Sequence, residues 1–121
     1  MRRARVKTKR VYEPAAKADG TRVLIMRYWP RGVRRERVNL WLRDAAPSSE
    51  LLHAYRDGKL AWPEFATRYR EEILYERPGV LDQLRALEVE HGNLVLMCTE
   101  RIPPNEHCHR LVLRELLGGG G

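Results

Sequence analysis

A chain of 121 residues with 43% hydrophobic and 32% charged side chains is long enough to bury one core without staples, and its composition is that of a globular protein rather than a disordered one. Its longest apolar runs, VLIM (23–26) and LVLMC (94–98), fall far short of the roughly 20 residues that a membrane helix needs. The formal charge of +7, with 19 arginines among 23 cationic residues, predicts attraction to a negatively charged partner, either an anionic small molecule or nucleic acid.

The basic opening, MRRARVKTKR, has no apolar segment behind it, so it does not read as a secretory signal; the expectation is a cytoplasmic protein without a membrane partner. RVKTKRVYE (5–13) alternates polar and apolar residues and suits a first strand, and PAAKADG (14–20) carries turn chemistry in its Pro and Asp-Gly. RVLIMRYWP (22–30) is apolar on both faces, which predicts a central strand in a sheet covered on both sides. RVNLWLRD (37–44) reads as a third strand. APSSELLHAYR (46–56) opens a helix, with Ser48 or Ser49 free to cap its first N–H groups.

In AWPEFATRYREEILYE (61–76), Pro63 fits a first helical turn, and Phe65, Tyr69 and Ile73 recur on one face. PGVLDQLRALEVEHG (78–92) carries the stripe Val80, Leu81, Leu84 and Leu87 and ends at Gly92, where a left-handed residue is needed. NLVLMC (93–98) is a buried strand, NEHCHRLVLRELL (105–117) a last helix capped by Asn105, and the glycines at 118–121 predict a disordered tail. This rhythm predicts an α/β fold over residues 1–117: a single domain whose small, largely parallel sheet is flanked by helices in a three-layer arrangement.

In such sheets ligands settle beyond the carboxyl ends of the strands. Those ends carry Arg27, Trp29 and Arg31, then Asp44 and Ser48, then Cys98 and Glu100. The segments KRVYEP, DGTRVLIMRYWPRGV, LWLRDAAPSSELL and LVLMCTE…CHR resemble the YeaO-like members of the bacterial and archaeal family of the domain of unknown function four-eight-eight. The resemblance runs from Lys9 to Leu117 and implies an α/β fold with a short, parallel-rich sheet; it names no reaction and no cofactor. The family pattern usually has an Asp before the Arg of the second strand, where this chain has Met26, so no base or metal ligand carries over to that place. The CTE…CHR ending is closer to the wider family than to the usual YeaO-like ending, which lacks these thiols.

Residues two apart on a strand share a face, so Cys98 and Glu100 project together. With Asn105 as cap, His107 and Cys108 occupy the first turn of the last helix, where unpaired N–H groups lower a thiol's pKa. Cys108 is therefore the candidate nucleophile, assisted by Glu100; the competing reading makes both cysteines small core residues. Cys98 and Cys108 with His107 or His109 offer nitrogen and sulfur ligands, but a Cys-x9-Cys-His spacing is not a standard zinc pattern, and no metal is assigned. Neighbours on one helical turn point to different sides, which argues against His107 and His109 as the base for Cys108.

Arg27, Arg31 and Arg110 suggest a guanidinium clamp for phosphate or carboxylate, against a rival in which Arg27 pairs with Glu100. Trp29 offers a stacking surface with Trp41, against plain packing. Ser48 is a helix cap rather than a nucleophile, because no Gly-x-Ser-x-Gly elbow surrounds it. Two functions follow. One is a small enzyme or binding domain whose strand-end pocket takes an anionic, nucleotide-like molecule. The other is a non-enzymatic nucleic-acid-binding module that uses Arg34, Arg35, Arg37 and the N-terminal arm.

Overall fold

The computed structural model describes residues 5–99 and 108–118. Four strands, β1 (Arg5–Arg10), β2 (Thr21–Leu24), β3 (Leu40–Trp41) and β4 (Asn93–Cys98), form one sheet in the order β1-β4-β2-β3. Every pairing is parallel: Arg5 lies opposite Asn93, Thr21 opposite Leu94 and Val23 opposite Leu40. β4 is central because its residues Leu94 to Cys98 are all buried, and a strand with no polar face is stable only where both faces are covered.

Alternation along β4 divides the core in two. Leu94 and Leu96 join Val23 and Ile25 in a large cluster, into which the helices α1 (Ser49–Arg56), α2 (Trp62–Glu71), α3 (Gly79–His91) and α4 (His109–Leu116) send Leu51, Phe65, Leu84 and Leu113, among others. Val95 and Met97 join Val11 and Leu24 on the opposite face, covered by Met26, Trp29, Val33, Val38 and Trp41. The fold is α/β, as the element rhythm requires, but its two covering layers differ in kind. Helices lie over one face, and the irregular segment between β2 and β3 lies over the other.

Three boundaries differ from expectation. The second strand ends at Leu24, not at Pro30; Ile25 still donates its N–H to the Met97 carbonyl at 3.1 Å, after which the chain turns away to cover the second face. The third strand shrinks to two residues because tight turns at Arg35–Arg37 and Arg43–Ala45 bracket it. α4 begins at His109, with Cys108 as its extended cap residue (φ −150°, ψ 141°), so Cys108 precedes the helical turn in which it was expected. Asn105, Glu100 and His107 lie outside the described residues, as do residues 119–121.

Elsewhere the local signals act as read. Ser48 Oγ accepts the N–H of Leu51 at 3.2 Å and caps α1, Pro63 sits in the first turn of α2, and Gly92 takes φ 84° after α3. α2 runs on into a π-helical turn at Glu72–Glu76. Gly20 has φ 70°, and a Cβ there would stand 2.3 Å from the carbonyl oxygen of Asn93. Only glycine lets the chain enter β2 so close beside β4.

Candidate functional site

Cys98 closes β4 on its helix-facing side, two residues beyond Leu96, and Cys108 caps the helix that packs over that side. The extended backbone of Cys108 turns its side chain back toward the strand, which brings the two sulfurs to 2.8 Å. They are 1% and 2% exposed. Arg110, 3% exposed, lies beside them: its guanidinium donates to the Lys9 carbonyl at 2.7 Å and to Cys98 Sγ at 3.4 Å.

His109 completes the group. Its Nε2 is 2.6 Å from the carbonyl oxygen of Ile25, and its Nδ1 is 3.9 Å from Cys108 Sγ. A carbonyl can only accept, so Nε2 carries the hydrogen and the lone pair of the neutral ring sits on Nδ1, facing the thiol. The ring also meets Tyr69 edge-on, with centroids 5.6 Å apart. Burial pushes the imidazole pKa down to about 4, over the opposing effect of the Ile25 hydrogen bond and with help from the Arg110 charge. At neutral pH the ring is therefore uncharged. The expectation that His109 points away from Cys108 fails because Cys108 is not helical, so the two side chains are not held to helical spacing.

The expected low thiol pKa of Cys108 also fails. Its hydrogen bond to Cys98 drives the pKa well above the ordinary thiol range; burial and the charge of Cys98 add to the rise, and the Arg110 backbone and guanidinium oppose it without prevailing. Cys108 thus rests as a thiol, and releasing its hydrogen requires a base.

A cavity of about 290 Å³ opens onto these sulfurs. It lies at the carboxyl ends of β2 and β4, walled by Met26 to Pro30, by Ala46 and Pro47, and by Tyr55, Trp62 and Phe65 from α1 and α2, with Cys98, Thr99, Cys108 and His109 also lining it. Trp29 lines it while packing edge-on against Trp41 at 5.3 Å and donating its indole N–H to the Val33 carbonyl at 2.9 Å. The turn after the second strand and the thiol junction therefore share one hollow.

The three arginines of the expected clamp do not converge. Arg27 lines the cavity, but its guanidinium donates to the carbonyls of Ala46 (3.2 Å) and Pro47 (3.2 Å and 3.3 Å), tying the strand-end loop to the start of α1. Arg31 is exposed and outside the cavity lining, and Arg110 serves the sulfurs and the β1 backbone. An exposed arginine that the sequence reading did not single out, Arg56, lines the cavity from α1. Tyr28, Tyr55, Trp62 and Phe65 were also missed as lining residues; the helical stripe marks Phe65 as buried but not which end of the sheet it faces.

Among the described residues no group of three or more His, Cys, Asp or Glu side chains is placed to hold a metal ion. None of their helices is long and apolar enough to cross a membrane.

Comparison with known proteins gives a consistent picture. A family model, DUF488-N3a, described as the active DUF488-N3 subclade, matches residues 6–120. The protein Rv3073c of Mycobacterium tuberculosis is similar, with 37% identity over 121 residues that cover 98% of each chain. YeaO of Escherichia coli is 36% identical over 77 residues, 61% of this chain and 67% of its own. No solved structure matches significantly.

Proposed function

The chain belongs to the DUF488 family, in its YeaO-like N3 branch, and from that premise we propose that it is a thiol-dependent enzyme acting on a small, ring-bearing anion held at the strand carboxyl ends. One observation carries the reading. A cysteine sulfur and an imidazole lone pair, 3.9 Å apart, meet at a cavity whose other walls include five aromatic side chains. The description of the matching family model as an active subclade agrees with catalysis.

As the Cys108 sulfur attacks an electrophilic carbon of the substrate, its proton passes through His109 Nδ1 to the leaving group in one concerted step, so that neither a free thiolate nor a free imidazolium has to accumulate. The rings of Tyr28, Trp29, Tyr55, Trp62 and Phe65 give flat apolar walls for a ring. Arg56 and Arg27, which both line the cavity, supply positive charge for the anionic group. A nucleotide-like molecule has both features, and the cavity lies near the lower end of the range of ligand sites, which begins at about 300 Å³. Glu100, the other candidate catalytic residue, lies outside the described residues and has no step here.

The alternative, a nucleic-acid-binding module, draws on the exposed Arg34 and Arg35. Arg37, its third arginine, donates to the carbonyls of Tyr12 (3.2 Å) and Glu13 (3.0 Å) and so serves the fold.

The test uses a chloroacetamide carried on an adenine nucleotide, with the modified residue located by mass spectrometry. The reduced native protein should be labelled at Cys108, and adenosine monophosphate should slow the labelling. Labelling at Cys108 no faster than that by plain chloroacetamide, or indifferent to the nucleotide, overturns the reading.

A further inference from the structure

The displacement proposed above consumes one sulfur, and the site holds two. Cys98 Sγ lies 2.8 Å from Cys108 Sγ and accepts a hydrogen bond from the Arg110 guanidinium at 3.4 Å. Of the two sulfurs, the one that accepts from a fixed cation is the one on which negative charge is best held. The separation is shorter than a van der Waals contact between sulfurs, against about 2.05 Å for a covalent S–S bond. Cys98 is held in place by β4, hydrogen-bonded on both sides to β1 and β2, whereas Cys108 precedes the first turn of α4 in extended backbone.

We infer that Cys98 is a resolving thiol, and that the pair forms a reversible disulfide which switches the site off under oxidation. The inference rests on the proposed role of Cys108 as the reactive sulfur. The oxidant is a hydroperoxide. As Cys108 attacks one peroxide oxygen, its proton passes through His109 to the other; the O–O bond breaks, Cys108 becomes a sulfenic acid and the second oxygen leaves as water. Cys98 then attacks the Cys108 sulfur; the S–S bond forms as the S–O bond breaks, and the departing hydroxide takes up the Cys98 proton as a second water. The two electrons lost by the sulfurs reside in the reduced peroxide oxygens. A small dithiol reverses the step and is itself oxidised to its disulfide. Arg110 acts through Cys98, as a positioning residue whose guanidinium stabilises the charge that develops on that sulfur as it attacks.

The experiment treats the reduced full chain with one equivalent of hydrogen peroxide, blocks remaining thiols with iodoacetamide under denaturing conditions, and reads the intact mass. The expected product has lost two hydrogens, carries no alkyl group and returns to the dithiol with dithiothreitol. In Cys98→Ser the sulfenic acid on Cys108 should persist and be trapped by dimedone. Arg110→Met should shift the pH midpoint of closure upward, and Arg110→Lys should move it back toward wild type.

Double alkylation of the peroxide-treated wild type, bonds found only between chains, or identical Cys108 products in wild type and Cys98→Ser would each overturn the inference. Because closure is read without any substrate, an intramolecular bond in a protein that ignores the nucleotide probe sinks the enzyme reading and leaves the thiol pair standing. Specific probe labelling without closure does the reverse.

Discussion

His109 donates from Nε2 to the Ile25 carbonyl at 2.6 Å, and this hydrogen bond leaves Nδ1, 3.9 Å from Cys108 Sγ, as the acceptor of the ring. Replacing the ring should therefore affect the thiol more than the fold. His109→Gln is expected to lower the rate of Cys108 alkylation at pH 7.5 by about a hundredfold, within the range of a lost general base. Stopped labelling followed by peptide mass spectrometry measures it; an unchanged rate removes His109 from the mechanism.

The same residue sets a pH dependence of stability. Its folded pKa of about 4 lies below the ordinary 6.5, so the unfolded chain takes up a proton first as the pH falls. The stability from neutral His109 is fully present above about pH 6.5 and is lost as the pH drops toward 4. Urea midpoints between pH 7.5 and 4.5 should decline in wild type and decline less steeply in His109→Gln. Parallel curves for the two proteins would contradict this assignment.

Gly20→Ala tests the entry into β2. The added methyl would stand 2.3 Å from the Asn93 carbonyl oxygen, at a φ of 70° that side chains disfavour. A loss of more than about 2 kcal/mol is expected from strain of this kind, read as a lower urea midpoint with an unchanged slope. A loss under half that size would mean that the β2–β4 corner yields easily.

Tyr69 is fully buried, and its hydroxyl donates to the Ala45 carbonyl; burial raises its pKa well above the ordinary value despite the charge of Arg77. Tyr69→Phe keeps the ring and removes the donor, leaving that carbonyl unpaired at a cost of about 1–3 kcal/mol. Chemical denaturation at pH 7 and at pH 9 measures it. The cost should be the same at both, because the phenol stays protonated throughout.

Much of the scaffold was legible in local pattern. Leu94 to Cys98 could only be an interior strand, since no residue there tolerates water. The four-residue steps of Phe65, Tyr69 and Ile73, and Gly92 at a helix end, likewise specify structure within a few residues of themselves. The shortened second strand was less legible: Met26 and Trp29 stand in a run of strand-forming side chains, but both are used to cover Leu24 and Met97, a demand that comes from the sheet and not from the segment.

The sequence by itself determined that an α/β core forms and that two thiols, a histidine and an arginine gather where the last strand gives way to the last helix. Only the tertiary structure decided that Cys108 turns toward Cys98, that His109 faces it with a bare nitrogen, that Arg110 turns inward and that Arg31 turns away. The reason is range. Periodicity encodes which residues leave water, whereas the partners of buried polar atoms are chosen across the fold: Ile25 lies 84 residues from His109 and Lys9 lies 101 from Arg110, and no local spacing carries that information.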